Sequence, residues 1–125
     1  MGTGPLSTTS RPATGRVDTL ARFRSHLTTA RLIDRVEVCR STTRRAAKRF
    51  EGEVGLLFVD ADHAYRAVRR DLKAWLPHLL PAGVVVLHDV GDWEGPTRAA
   101  ADLLAKGFRR LDQAGSALAL SRVVT

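Results

Sequence analysis

Two short clusters, Asp60-Ala61-Asp62-His63 and His88-Asp89, put carboxylates and imidazoles side by side, the groups of proton transfer and cation binding. Each follows an apolar run. Val54 to Val59 is one run and Val84 to Leu87 the other, and both read as strands covered on both faces. A helix-length segment joins them, so the strands are parallel. In an open parallel sheet, ligands sit outside the carboxyl ends of the strands, where both clusters fall. A plainer reading stands beside this one: Asp60 and Asp62 cap a helix, and His63 is exposed.

The elements that must position these residues follow from periodicity. From Ala64 to about Leu80, Val68, Leu72, Trp75, Leu76 and Leu79 recur at three- and four-residue spacing, with Arg66, Arg69, Arg70 and Lys73 on the other side. That pattern makes an amphipathic helix with one face on the sheet. Asp62 is placed as its N-cap, Pro77 kinks or tightens its last turn, and Pro81-Ala82-Gly83 turns the chain into the second strand. After His88-Asp89, Gly91 to Pro96 forms a loop in which Trp93 is either a pocket wall or an edge-packed residue. A helix is expected from Pro96 to Lys106, packing through Ala100, Ala101, Leu103 and Leu104 and ended by Gly107. Phe108–Asp112 and Ala117–Val123 read as a hairpin at the sheet's edge.

Upstream, Met1 to Arg16 is rich in Gly, Ser, Thr and Pro and reads as a flexible tail, with one α/β domain from residue 17 to 125. Gly2-Thr3-Gly4 lacks the preceding strand and third glycine of a nucleotide loop. Asp18 or Thr19 caps a helix to about Ala30 carrying Leu20, Phe23 and Leu27, and His26 faces solvent. Val36–Cys39 alternates like a short strand. Ser41 and Thr42 precede a helix from Thr43 to Phe50 and can cap it.

Composition narrows the classes. The single cysteine, Cys39, excludes an internal disulfide and any cysteine-based zinc site, and its apolar neighbours suggest a buried thiol. No apolar run approaches the roughly 18 residues of a membrane span, and no secretory h-region opens the chain, so a cytoplasmic location is expected. A net charge of +7 invites nucleic acid. The basic residues are spread over several segments and only 7 aromatics are present, which argues for solvated faces instead.

The segments LLFVDADHAYRAVRRDLKAWLPHLLPAGVVVLHDV, RLIDRVEV and GFRRLDQAGSALALSRV resemble, in that fold order, the C-terminal two-thirds of class I S-adenosylmethionine-dependent methyltransferases. The likeness is to their small-molecule O-methyltransferase-like branch and covers about Val17 to Val123. It implies a partial Rossmann-like α/β fold: a parallel sheet with a C-terminal antiparallel hairpin, lacking the first strands. It further implies S-adenosylmethionine as cofactor, with Ser41, Thr42 and Asp60 toward it. Asp60 and Asp89 match the ligands of a Mg²⁺ or Mn²⁺ ion, and His63 the catalytic base that takes a proton from a small-molecule hydroxyl. His88 stands where the first acid of a pair is expected.

The family's opening strand, glycine-rich cofactor loop and ribose-binding acid are not found before Val17. The expectation is therefore an N-terminally truncated member, inactive alone or completed by a partner segment or a homo-oligomer. A non-catalytic remnant is the alternative. With two strands lacking, Val36–Cys39 either pairs with Val54–Val59 or stays loosely attached, exposing apolar surface that favours self-association.

Overall fold

The computed structural model describes residues 19–60 and 62–122. The chain divides into two compact units, the first ending at Arg49 and the second beginning at Phe50. The expected tail over Met1 to Arg16 lies outside the described residues.

The first unit holds α1 (Thr19–Thr29) and α2 (Thr43–Arg49), with a single 3-10 turn at Ile33–Arg35 between them. Leu27 is buried on α1, whereas Phe23 on the same predicted stripe is largely exposed. The helix closes with Arg31 at φ 61 and the Leu32 amide donating to the Leu27 carbonyl, a Schellman arrangement made without glycine. Val36–Cys39 is not a strand. Alternation gives such a segment one apolar side, but a strand exists only through ladder bonds to a neighbour, and these residues have none. Cys39 is exposed, against the buried thiol that its neighbours suggested.

The second unit contains the predicted βαβ core: β1 (Val54–Val59), α3 (Tyr65–Trp75), a 3-10 turn over Leu76–His78, and β2 (Leu79–Leu87). It continues with α4 (Glu94–Ala105) and the hairpin β3 (Arg109–Ala114) and β4 (Ala117–Ser121). The sheet order is β1-β2-β4-β3. β1 and β2 run parallel, pairing Leu56 with Val84 through Val59 with Leu87. β4 runs antiparallel to β2, and β3 antiparallel to β4. The parallel pair and terminal hairpin thus stand as expected, with β4 inside and β3 at the rim.

Several boundaries moved for identifiable reasons. Pro77 sits in the 3-10 turn and tightens the end of α3, after which β2 begins before the Pro81-Ala82-Gly83 segment instead of after it. Pro81 has no N–H for the ladder, and the register slips there: Val54 pairs with Leu79, yet Leu56 already pairs with Val84. α4 starts at Glu94, ahead of the predicted Pro96. Gly107, at φ 101, ends it, with the Phe108 amide reaching back to the Leu103 carbonyl.

α3 and α4 cover one face of the sheet. Val68 and Leu72 of α3, Ala99, Ala100 and Leu103 of α4, and Val85, Leu87, Leu118 and Leu120 of the strands form one buried cluster. Ala101 and Leu104, two of the four positions predicted to pack, lie outside it and are exposed. β1 is not covered on both faces. Leu57 and Val59 pack toward the core, but Leu56 and Phe58 are 60% and 55% exposed. At a lateral strand with helices on one side, the alternate side chains have no layer to enter.

Candidate functional site at the strand ends

The parallel strands deliver their carboxyl ends to one place. His88, first after β2, is held by its amide donating to the Val59 carbonyl at 3.2 Å, which sets it beside Asp60, first after β1. Asp89 then takes φ 67, a left-handed conformation that aspartate tolerates better than most residues. The Asp89 carbonyl accepts from the Asp92 and Trp93 amides. Thr97 of α4 fastens the loop: its hydroxyl accepts from the Gly91 amide and donates to the Trp93 carbonyl, both at 2.7 Å.

This backbone path assembles a chain of four polar side chains. His63 Nε2 lies 2.8 Å from Asp89 Oδ2. The other oxygen, Oδ1, lies 3.1 Å from His88 Nδ1, which in turn is 3.2 Å from Asp60 Oδ1. Asp60, His88 and Asp89 each offer one ligand atom, all within 4.8 Å of one another. Trp93 lies flat against His63, ring centroids 4.2 Å apart and planes 13° from parallel, so the loop tryptophan is a wall of this site.

The electrostatics follow from the contacts. The close Asp89 carboxylate, followed by the charge of Asp60, raises the His88 pKa above 6.5 in spite of partial desolvation. Desolvation pushes Asp89 up, yet the hydrogen bonds and charges of His63 and His88 outweigh it and hold its carboxyl below 3.8. An ionised aspartate flanked by two imidazoles fixes both rings.

The turn before α3 differs from expectation. Asp62 does not cap the helix: its Oδ1 accepts from the Ala64 amide at 2.9 Å, and Ala64 itself is the N-cap residue. The resulting Asx turn orients His63 toward Asp89. Sequence reasoning also missed Gly95. A Cβ there would stand 1.9 Å from the His63 carbonyl oxygen, so α4 can approach the His63 turn only through glycine.

Ser41 and Thr42 belong to the first unit. The Thr42 hydroxyl accepts from the Arg45 amide at 3.2 Å and caps α2; the Ser41 hydroxyl donates to the Thr42 carbonyl at 3.0 Å. Of the two, only Thr42 does the capping that the sequence allowed for both.

The family model for a methyltransferase domain matches residues 7–90, well over half of the chain and inclusive of both acidic strand ends. The chain belongs to this methyltransferase family. No curated protein sequence matches it significantly. Among solved structures, it is similar to a protein described as a caffeoyl-CoA O-methyltransferase from Staphylococcus aureus, with a TM-score of 0.64 and 16% identity over 84% of this chain and 60% of that one. It is also similar to one described as an rRNA methylase from Clostridium thermocellum, with a TM-score of 0.58 and 17% identity over 83% of this chain and 69% of that one. These likenesses establish the fold. The methyltransferase domain thus carries the His63, Asp89, His88 and Asp60 array at the carboxyl ends of its parallel strands. Among the described residues no helix is long and apolar enough to cross a membrane.

Proposed function

We propose that this methyltransferase domain takes part in S-adenosylmethionine-dependent O-methylation of a small molecule, with His63 as the base. The observation that carries the reading is the 2.8 Å contact between His63 Nε2 and Asp89 Oδ2. If Nε2 carries the proton donated to Asp89, Nδ1 is left with the lone pair that can accept one. The ionised Asp89 then stabilises the imidazolium that forms. When bound, the cofactor would supply an electrophilic methyl group on a sulfonium sulfur, which leaves as the neutral thioether when the S–C bond breaks; His63 would take the acceptor's hydroxyl proton.

Within the second unit, the residue that would face the cofactor is Asp60, at the end of β1. A small-molecule acceptor is the reading that the family resemblance suggests; the stacked and half-exposed His63 and Trp93 rings offer it a flat surface suited to a planar or sugar-like group.

A divalent ion is a finer part of the same proposal. Two carboxylates with one imidazole suit Mn²⁺ better than Mg²⁺, which prefers oxygen donors alone. Calorimetric titration should give weak binding, Mn²⁺ ahead of Mg²⁺, abolished by Asp60→Asn. An unchanged signal in that variant places the ion elsewhere.

A second reading, a non-catalytic domain or partner subunit, is favoured by His88, an imidazole where the family pattern has an acid. One experiment separates the two: S-adenosylmethionine and S-adenosylhomocysteine are titrated into the purified chain, followed by a labelled-methyl assay against a panel of small hydroxyl compounds. Binding with transfer that disappears in His63→Ala supports the enzyme. Absence of cofactor binding supports the non-catalytic reading, with a partner supplying the missing contacts.

A further inference from the structure

Between α3 and α4, on the helical face of the sheet, lies a cavity of about 810 Å³, within the roughly 300–1,000 Å³ of small-molecule sites. None of the strand-end residues Asp60, His63, His88 or Asp89 lines it. Its floor is apolar, made by the buried Leu72, Ala99 and Leu103. Its walls are cationic. Arg69, Lys73 and Lys106 line it and are exposed, and among the described residues none of them has a carboxylate at ion-pairing distance.

Arg122 forms the fourth cationic wall. Its guanidinium donates to the Leu79 and Leu76 carbonyls, each at 3.0 Å, bonds that fix its plane without cancelling its charge. Among the described residues the single lining carboxylate, Asp102, receives the Tyr65 hydroxyl. On the Tyr65 ring sits the guanidinium of Arg98, 3.9 Å from the centroid. The cavity therefore joins an apolar floor to a surplus of positive charge.

We propose that this cavity binds an amphipathic organic anion, a carboxylate or phosphate head on an apolar tail. The tail would lie over Leu72 and Leu103, and the head would meet Arg69, Lys73 and Lys106. A neutral apolar ligand would gain nothing from the cationic rim. Among the described residues a nucleic-acid strand would find no stacking platform here, because the one lining aromatic, Tyr65, is already covered by Arg98.

Decanoate, decyl phosphate, 1-decanol and acetate, each below its micelle threshold, serve as probes, with binding followed by calorimetry and amide NMR shifts in α3 and α4. Decanoate or decyl phosphate should bind in the micromolar to submillimolar range, the tighter of the two identifying the head group. Decanol should bind at least tenfold more weakly and acetate not at all. Raising the salt should weaken the anions alone. The exposed pair Lys73→Glu and Lys106→Glu, checked for retained helicity, should lower anion affinity tenfold or more while leaving decanol unaffected. Equal affinity for decanol and decanoate, an unaffected double variant, or no shifts at millimolar anion would overturn the assignment.

Discussion

The imidazole of His63 is clasped between Trp93 and Asp89: its face rests on the indole at 4.2 Å and its Nε2 meets the carboxylate at 2.8 Å. The stack limits the ring's tilt and the hydrogen bond limits its rotation, so the remaining nitrogen is aimed without a third contact. His63 is 44% exposed and Asp89 18%, which leaves the proposed base accessible from solvent while its partner stays shielded.

Removing the base should therefore cost more than removing the wall. A positioned general base contributes about 10²- to 10⁴-fold, so His63→Ala should reduce methyl transfer within that range with little change in melting temperature. Trp93→Ala removes a stack of about 0.5–1.5 kcal/mol and should lower the rate about tenfold, with Trp93→Phe recovering most of it. Equal rates for Trp93→Ala and the parent chain would show that the indole positions nothing.

Stability should depend on pH through the same cluster. The folded His88 pKa is raised above its unfolded value, so its contribution is complete below about 6.5 and is lost as pH rises through the higher folded value. The folded Asp89 pKa is lowered, so its contribution is present above about 3.8 and is lost as pH falls through the lower folded value. Melting temperature, measured with chelator present, should be highest between these limits and decline on the alkaline side as pH rises above about 6.5. His88→Gln should flatten the alkaline limb and, because His88 also helps to lower the Asp89 pKa, make the acid limb shallower; an alkaline limb of unchanged depth in that variant would assign it to another group.

The exposed face of β1 gives a third expectation. Leu56 and Phe58 present adjacent apolar side chains on a strand with one lateral edge unpaired in the described sheet, a combination that promotes association between copies. The chain should elute with a concentration-dependent apparent mass and bind an apolar dye. Leu56→Ser with Phe58→Ser should shift it toward monomer and reduce the dye signal while altering unfolding free energy by less than about 1 kcal/mol, because neither side chain belongs to the core. A parent chain that stays monomeric and dark to the dye would contradict this.

The βαβ unit was legible because its two apolar runs and the helix between them need only local periodicity. Val36–Cys39 misled for the converse reason: alternation describes a side chain's surroundings, while strand formation depends on a partner that may lie anywhere in the chain. The continuous run at Val54–Val59 suggested two covered faces, but coverage depends on where the strand stands in the sheet. Asp60, His63 and Asp89 were recognisable from their place at strand ends and from family resemblance. The link that joins them, His88, was visible only as a departure from pattern, and its contact with both aspartates emerged from the parallel register of β1 and β2.

Gly95 illustrates a determinant with no sequence signal at all, since its role arises from two helix starts converging. The Cβ of an alanine there would meet the His63 carbonyl oxygen at 1.9 Å, the Tyr65 nitrogen at 2.7 Å and the His63 carbonyl carbon at 2.8 Å. All three are backbone atoms, so no rotamer change relieves the clash. Either α4 retreats, carrying Trp93 and the Thr97 fastening with it, or the His63 turn is displaced from Asp89. Overpacking of this kind costs about 1–3 kcal/mol and occasionally more; Gly95→Ala should fall at the upper end in chemical denaturation and should shift the His63 imidazole resonances in NMR. Gly115→Asn is the matched control. Its backbone has φ +61 with nothing within 4 Å of a new Cβ, a conformation that asparagine accepts in a two-residue hairpin turn, so it should leave stability within about 0.5 kcal/mol of the parent and the His63 resonances in place. Should Gly95→Ala prove as mild as that control, the approach of α4 to the His63 turn would not be what holds the site together.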